Sequence, residues 1–219
     1  ALPIHLAAYA REFTRRYSWV RHFTPVNEIF VAANFSSMVG WWNERGTGAD
    51  SFLCTLGNVS MGHELAVEAI LAECPSAIIV QAESVERFTP ADSSPAALAH
   101  AQFWNDARFT ALDLTLGRTP SPAMSDLLVR SGMTTSDFAF LREKRARGQR
   151  WIGVDYYVTS EQLVDADGRK TRSPQRIGLA ALAREYHARY RLPLFISETS
   201  RAAWRGTQWL SEQWDETSR

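Results

Sequence analysis

Four short apolar runs in this sequence each end in residues that can transfer protons or attack carbon. Asn27 and Glu28 close the first, and Gln81 and Glu83 the second. Asp155, Tyr156 and Tyr157 close the third, and Glu198 the fourth. An acid at a strand end is costly unless water solvates it or chemistry uses it. Repetition at four successive ends favours use. Two carboxylates across a pocket suit cleavage of a glycosidic bond. One, protonated, gives its proton to the leaving oxygen; the other, ionised, attacks or activates water. Burial and mutual repulsion would drive such a pair's pKa values apart. None of the five His residues has a ligand partner at i, i+4 spacing, so no metal and no cofactor are expected. Asp165 to Gly168 resembles the opening of a calcium loop, but no third acidic ligand or closing Glu follows, so a polar turn is expected.

The elements that must position these residues follow from the pattern. The apolar runs cover residues 19–26, 77–82, 151–158 and 192–197 and lack strict alternation, as parallel strands buried on both faces do. Between them the apolar residues take helical spacing: Leu65, Ala66, Ala69, Ile70 and Ala72, then Leu98, Phe103, Phe109 and Leu112, then Leu179, Leu182 and Tyr186. Strands alternating with helices predict an α/β fold with a parallel sheet. Residues 40–50, 87–95 and 165–173 read as the loops. Enzymes built as (β/α)8 TIM barrels carry their working residues where strands meet such loops. Four strand–helix units nearly fill the 219 residues, whereas a barrel needs eight. The chain therefore reads as one domain, residues 1–219, forming a partial segment of a barrel.

Composition narrows the function. Lys plus Arg and Asp plus Glu both number 24, so no charge excess points to nucleic acid or to an anionic membrane. No apolar run approaches a membrane span, and the opening ALPIHLAAYA has no basic leader. It reads as the start of an amphipathic helix cut from something longer. Eight Trp and 11 Phe can fill a core or stack on sugar rings. Cys54 and Cys74, both in segments with helical character, are expected to be buried thiols in a cytoplasmic protein.

Three motifs carry a family resemblance. TPVNE, ending at Glu28, resembles the acid/base strand of glycoside hydrolase family 1, in the larger clan of β-glycosidase barrels. WIGVDYYVTS, containing Asp155 and Tyr157, resembles that family's strand six. LPLFISETS, containing Glu198, resembles its strand seven, which bears the nucleophile. Their order and separation also fit, from strand four to the helix after strand seven. The resemblance implies retaining hydrolysis of a β-linked sugar, with Glu28 as acid/base and Glu198 as nucleophile. It implies Asn27 as the amide that holds the sugar 2-hydroxyl and Tyr157 as hydroxyl donor to Glu198. Trp41 and Trp42, in the long loop after the Asn-Glu pair, are expected to wall the aglycone side. Asp155 and Glu83 are expected beside or behind the reacting groups. The partners expected are a carbohydrate substrate and the missing barrel strands, from a parent chain or an oligomer.

Three positions depart from the family pattern. Ile29 replaces the usual Pro, Asp155 replaces an Asn, and Thr199-Ser200 replaces Asn-Gly. These changes mark a divergent branch. They also keep a second reading open, a carbohydrate-binding or structural barrel that retains the carboxylates without turnover.

Overall fold

The computed structural model describes residues 2–144 and 148–199. In chain order its elements begin with α1 (Leu2–Arg16), β1 (His22–Phe23) and α2 (Ile29–Ala33), which runs into a π-helical turn, Asn34–Met38. Next come α3 (Ala49–Glu73), β2 (Ile78–Ser84), β3 (Arg87–Pro90) and α4 (Pro95–Thr115). Then follow α5 (Pro122–Arg130), α6 (Thr135–Lys144), β4 (Gln149–Asp155), β5 (Glu161–Val164) and β6 (Lys170–Arg172). The last two are α7 (Leu179–Tyr190) and β7 (Leu194–Glu198). Two compact units contain them, one made of residues 1–83 and 106–152, the other of residues 84–105 and 153–219. No helix among the described residues is long and apolar enough to cross a membrane.

In the first unit β1 pairs with β2 in parallel, His22 opposite Ile78 and Phe23 opposite Ile79, and β2 adjoins β4. Below the strands Ala10 of α1 meets Ala66, Val67 and Ile70 of α3, and Phe23 and Ile79 close the same apolar cluster. Small residues on both helices permit that close approach. The start of α5 follows local rules: Ser121 Oγ accepts from Met124 N–H at 3.3 Å, with Pro122 at the first helical position.

The second unit holds the end of β4 beside β7. Tyr156 N–H donates to the Glu198 carbonyl at 3.0 Å, so the C-terminal ends of both strands meet, as parallel pairing requires. The unit also contains a sheet the sequence pattern does not announce, with β3 parallel to β5 and β5 antiparallel to β6. Lys170 of β6 lies 3.2 Å above the Trp104 ring centroid and covers it.

All four apolar runs become strands, with several corrections. The first shrinks to His22–Phe23 because Pro25 has no N–H to give a ladder. The loops expected at 87–95 and 165–173 contribute β3 and β6. β7 leaves Phe195 and Ile196 exposed and is not buried on both faces. Cys54 is exposed on the solvent side of α3, while Cys74 is buried; both are free thiols. Ser200, and the helix expected after strand seven, lie outside the described residues.

Candidate functional site

In the first unit the site is a turn between β1 and α2. Glu28 adopts φ 46 and ψ 63, the left-handed region, which costs a residue with a Cβ roughly 1–2 kcal/mol. Its surroundings impose the conformation. Glu28 N–H donates to the Ala82 carbonyl of β2 at 2.9 Å, and the Glu28 carbonyl accepts from Ala32 N–H at 2.8 Å. A helix start leaves amides without partners, and the Glu28 side chain does not cap its own helix. Glu83, at the end of β2, does so instead. Its Oε1 accepts from Ile29 N–H at 3.1 Å and its Oε2 from Phe30 N–H at 3.2 Å.

Glu83 is thus a buried group and not a rim carboxylate. Burial, reinforced by the nearby charge of Glu28, pushes its carboxyl up to about 8, against the opposing hydrogen bonds from Phe30, Gln81 and Ile29. Behind it runs a chain of polar contacts. Gln81 Nε2 lies 3.5 Å from Glu83, and Gln81 Oε1 accepts from Thr115 Oγ1 at 2.6 Å. The Thr115 carbonyl accepts from Arg150 at 3.3 Å, and Arg150 forms a bidentate pair with Glu64, both contacts at 2.7 Å. Asn27 is exposed beside Glu28. Trp41 and Trp42 are also exposed, with ring centroids 5.0 and 5.1 Å from that of Phe35.

In the second unit the ends of β4 and β7 bring together Asp155, Tyr156, Tyr157 and Glu198. The Tyr157 hydroxyl donates to Glu198 Oε2, a charge-assisted contact that fixes the direction of the carboxylate. Asp155 is fully buried, and its Oδ1 accepts from Ser197 Oγ at 2.5 Å. Burial raises the Asp155 pKa, the Glu198 charge adds to that rise, and the Ser197 hydroxyl opposes it.

Sequence reasoning missed Glu161. This buried carboxylate accepts from the Tyr156 hydroxyl at 2.9 Å, from Ile177 N–H at 2.7 Å and from Gly178 N–H at 2.9 Å. Gly178, at φ 80, caps α7 and offers no side chain of its own. The available signal was that absence: a helix starting after Gly needs its amides satisfied from elsewhere. Ser197 was missed as well, its only cue being its place next to Glu198.

Parallel strand–helix units with acids at the strand ends define the class as an α/β, TIM-barrel-like fold; no closed barrel is formed by the described residues. No family model matches the chain, and no curated protein matches it in sequence. Solved structures match in fold. A family 1 β-glucosidase from Thermotoga maritima aligns with TM-score 0.72 at 14% identity over 90% of this chain. The AHE enzyme from Alicyclobacillus herbarius aligns at 0.70 and 18% over 90%. Virulence factor SghA from Agrobacterium tumefaciens aligns at 0.70 and 20% over 93%. The chain spans about half of these structures, 48%, 48% and 51% of their respective lengths. The family 1 resemblance seen in three sequence motifs thus has a counterpart in the fold.

Proposed function

We propose that this chain carries the catalytic carboxylates of a retaining β-glycosidase. Glu198 attacks the anomeric carbon, forming an ester as the bond to the aglycone oxygen breaks, while Glu28 hands its proton to that oxygen. Water then attacks the same carbon, Glu28 takes its proton, and Glu198 leaves with the starting configuration restored. Asn27 holds the sugar 2-hydroxyl, and Trp41 and Trp42 line the aglycone side. The observation that carries the reading is the Tyr157 hydroxyl on Glu198, which aims a carboxylate at a strand end. The remaining barrel strands, from the same polypeptide or another copy, complete the pocket. Two unpaired thiols suit a cytoplasmic setting.

Azide tests the assignment in the complete protein. Glu198→Ala should abolish turnover, and azide should restore it as the glycosyl azide of inverted configuration. Glu28→Ala should keep the first step for substrates with good leaving groups, and azide should then give the retained azide. Rescue with the opposite stereochemistry in either variant would remove the assignment. The second reading, sugar binding without turnover, rests on Asp155, whose Oδ1 is occupied by Ser197. It predicts saturable sugar binding with no hydrolysis in wild type and in Asp155→Asn alike.

A further inference from the structure

Glu28 stands in the left-handed region with no glycine to ease it, and its own side chain plays no part in capping the helix that follows. The two amides immediately after it are the ones Glu83 holds, one on each carboxylate oxygen. Those amides belong to the peptide groups joining Glu28 to Ile29 and Ile29 to Phe30. Rotating the first of them is what any departure of Glu28 from its present ψ requires. Glu83 is buried and braced from behind by Gln81, which Thr115 in turn fixes at 2.6 Å. The clamp therefore rests on rigid elements, with β2 supplying the carboxylate and α4 the brace.

We propose that Glu83 is a positioning residue for Glu28: by holding the Ile29 and Phe30 amides it fixes the left-handed turn that sets where the Glu28 carboxyl points. The effect of this clamp on catalysis rests on the acid/base assignment above; the effect on the turn does not. Glu83 acts through Glu28 and touches no substrate. A helix cap made by an ordinary Ser or Asp at position 28 would have drawn that side chain onto its own helix. Capping from a different strand leaves position 28 for a residue with other work.

Two readouts test this on the intact protein and its Glu83→Gln variant. Gln keeps one acceptor but turns an N–H₂ toward the other amide. Backbone 13C shifts should show Glu28 leaving the left-handed region, with the Ile29 and Phe30 amide resonances displaced. Hydrolysis should fall at least tenfold more for an alkyl β-glycoside, which needs the acid, than for a 2,4-dinitrophenyl β-glycoside, which does not, with KM within about threefold. Should Glu83→Gln not fold, Glu83→Asp, too short to reach both amides, is read the same way. Glu28 remaining left-handed in the folded variant would overturn the proposal, whether or not the protein hydrolyses anything. An equal fall for both glycosides would also overturn it, by marking Glu83 as general scaffolding. A wild-type protein inert toward every glycoside would instead fail the functional reading, and the 13C shifts alone would then decide the clamp.

Discussion

In the first unit Glu28 is gripped through its backbone, by Ala82, Ala32 and the neighbouring amides that Glu83 holds. In the second unit Glu198 is gripped at the carboxylate itself, by the Tyr157 hydroxyl. The two arrangements suit the two different tasks proposed for these residues. A proton donor must lose and regain its proton in each cycle, so the protein fixes where it stands and leaves its charge to change. A nucleophile must present one oxygen along one line, so the protein holds the other oxygen. The two units share one further device. A buried glutamate, Glu83 in one and Glu161 in the other, binds two consecutive amides at a helix start.

Breaking the scaffold should have the largest effect on stability, and it should be confined to the first unit's network. Glu64 and Arg150 are both buried, with 0% and 4% side-chain exposure. Glu64→Ala strands the guanidinium without a counter-charge and should cost about 3–5 kcal/mol, read by denaturant unfolding. Replacing both residues with Met should cost far less, because no unpaired charge remains. Equal losses in the single and double variants would show that packing, not charge pairing, is what the site supplies.

Tyr157→Phe sharpens the comparison from the other side. A hydrogen bond to a charged group is worth about 1.5–3 kcal/mol, so the rate of glycosyl-enzyme formation should fall roughly 10- to 100-fold. Stability should fall by no more than the same amount. A rise in KM alone, with kcat intact, would mean that the hydroxyl serves sugar binding and not the nucleophile.

The last effect is on pH dependence, again from the first unit. Glu83 is raised from its ordinary 4.5 to about 8 by burial. Between those values the folded chain keeps a proton that the unfolded chain has lost, so stability falls as pH rises through the window. His63 is lowered from 6.5 to about 3, by burial and then by the Arg150 charge. Below 6.5 the unfolded chain binds a proton that the folded chain refuses, so stability falls as pH drops toward 3. From 4.5 to 6.5 the two slopes oppose each other, and both flanks decline. Urea unfolding across pH should show the alkaline decline flattened in Glu83→Gln and the acid decline flattened in His63→Gln.

The strands that position the site were legible because parallel strands buried by neighbours must be apolar runs, and residues 77–82 and 151–158 are such runs. The β3, β5 and β6 sheet was not. Its strands are three or four residues long and polar in part, as in Lys170–Arg172, so they carry no pattern that separates them from loop. Glu28 and Glu198 stood out as candidates from type, position and family motif. The work of Glu83 was not, because it concerns backbone amides 53 and 54 residues away, where no periodicity reaches. Glu161 was missed for the same reason, its amide partners lying 16 and 17 residues on.

The central claim is that Glu198 becomes covalently bonded to sugar. The direct measurement is to incubate the complete protein with a 2-deoxy-2-fluoro β-glycoside bearing a good leaving group, then map the labelled peptide by mass spectrometry. The account predicts one glycosyl group per site, carried on Glu198, and none in Glu198→Ala. Label on another carboxylate, or hydrolysis that continues with no covalent adduct, would contradict it.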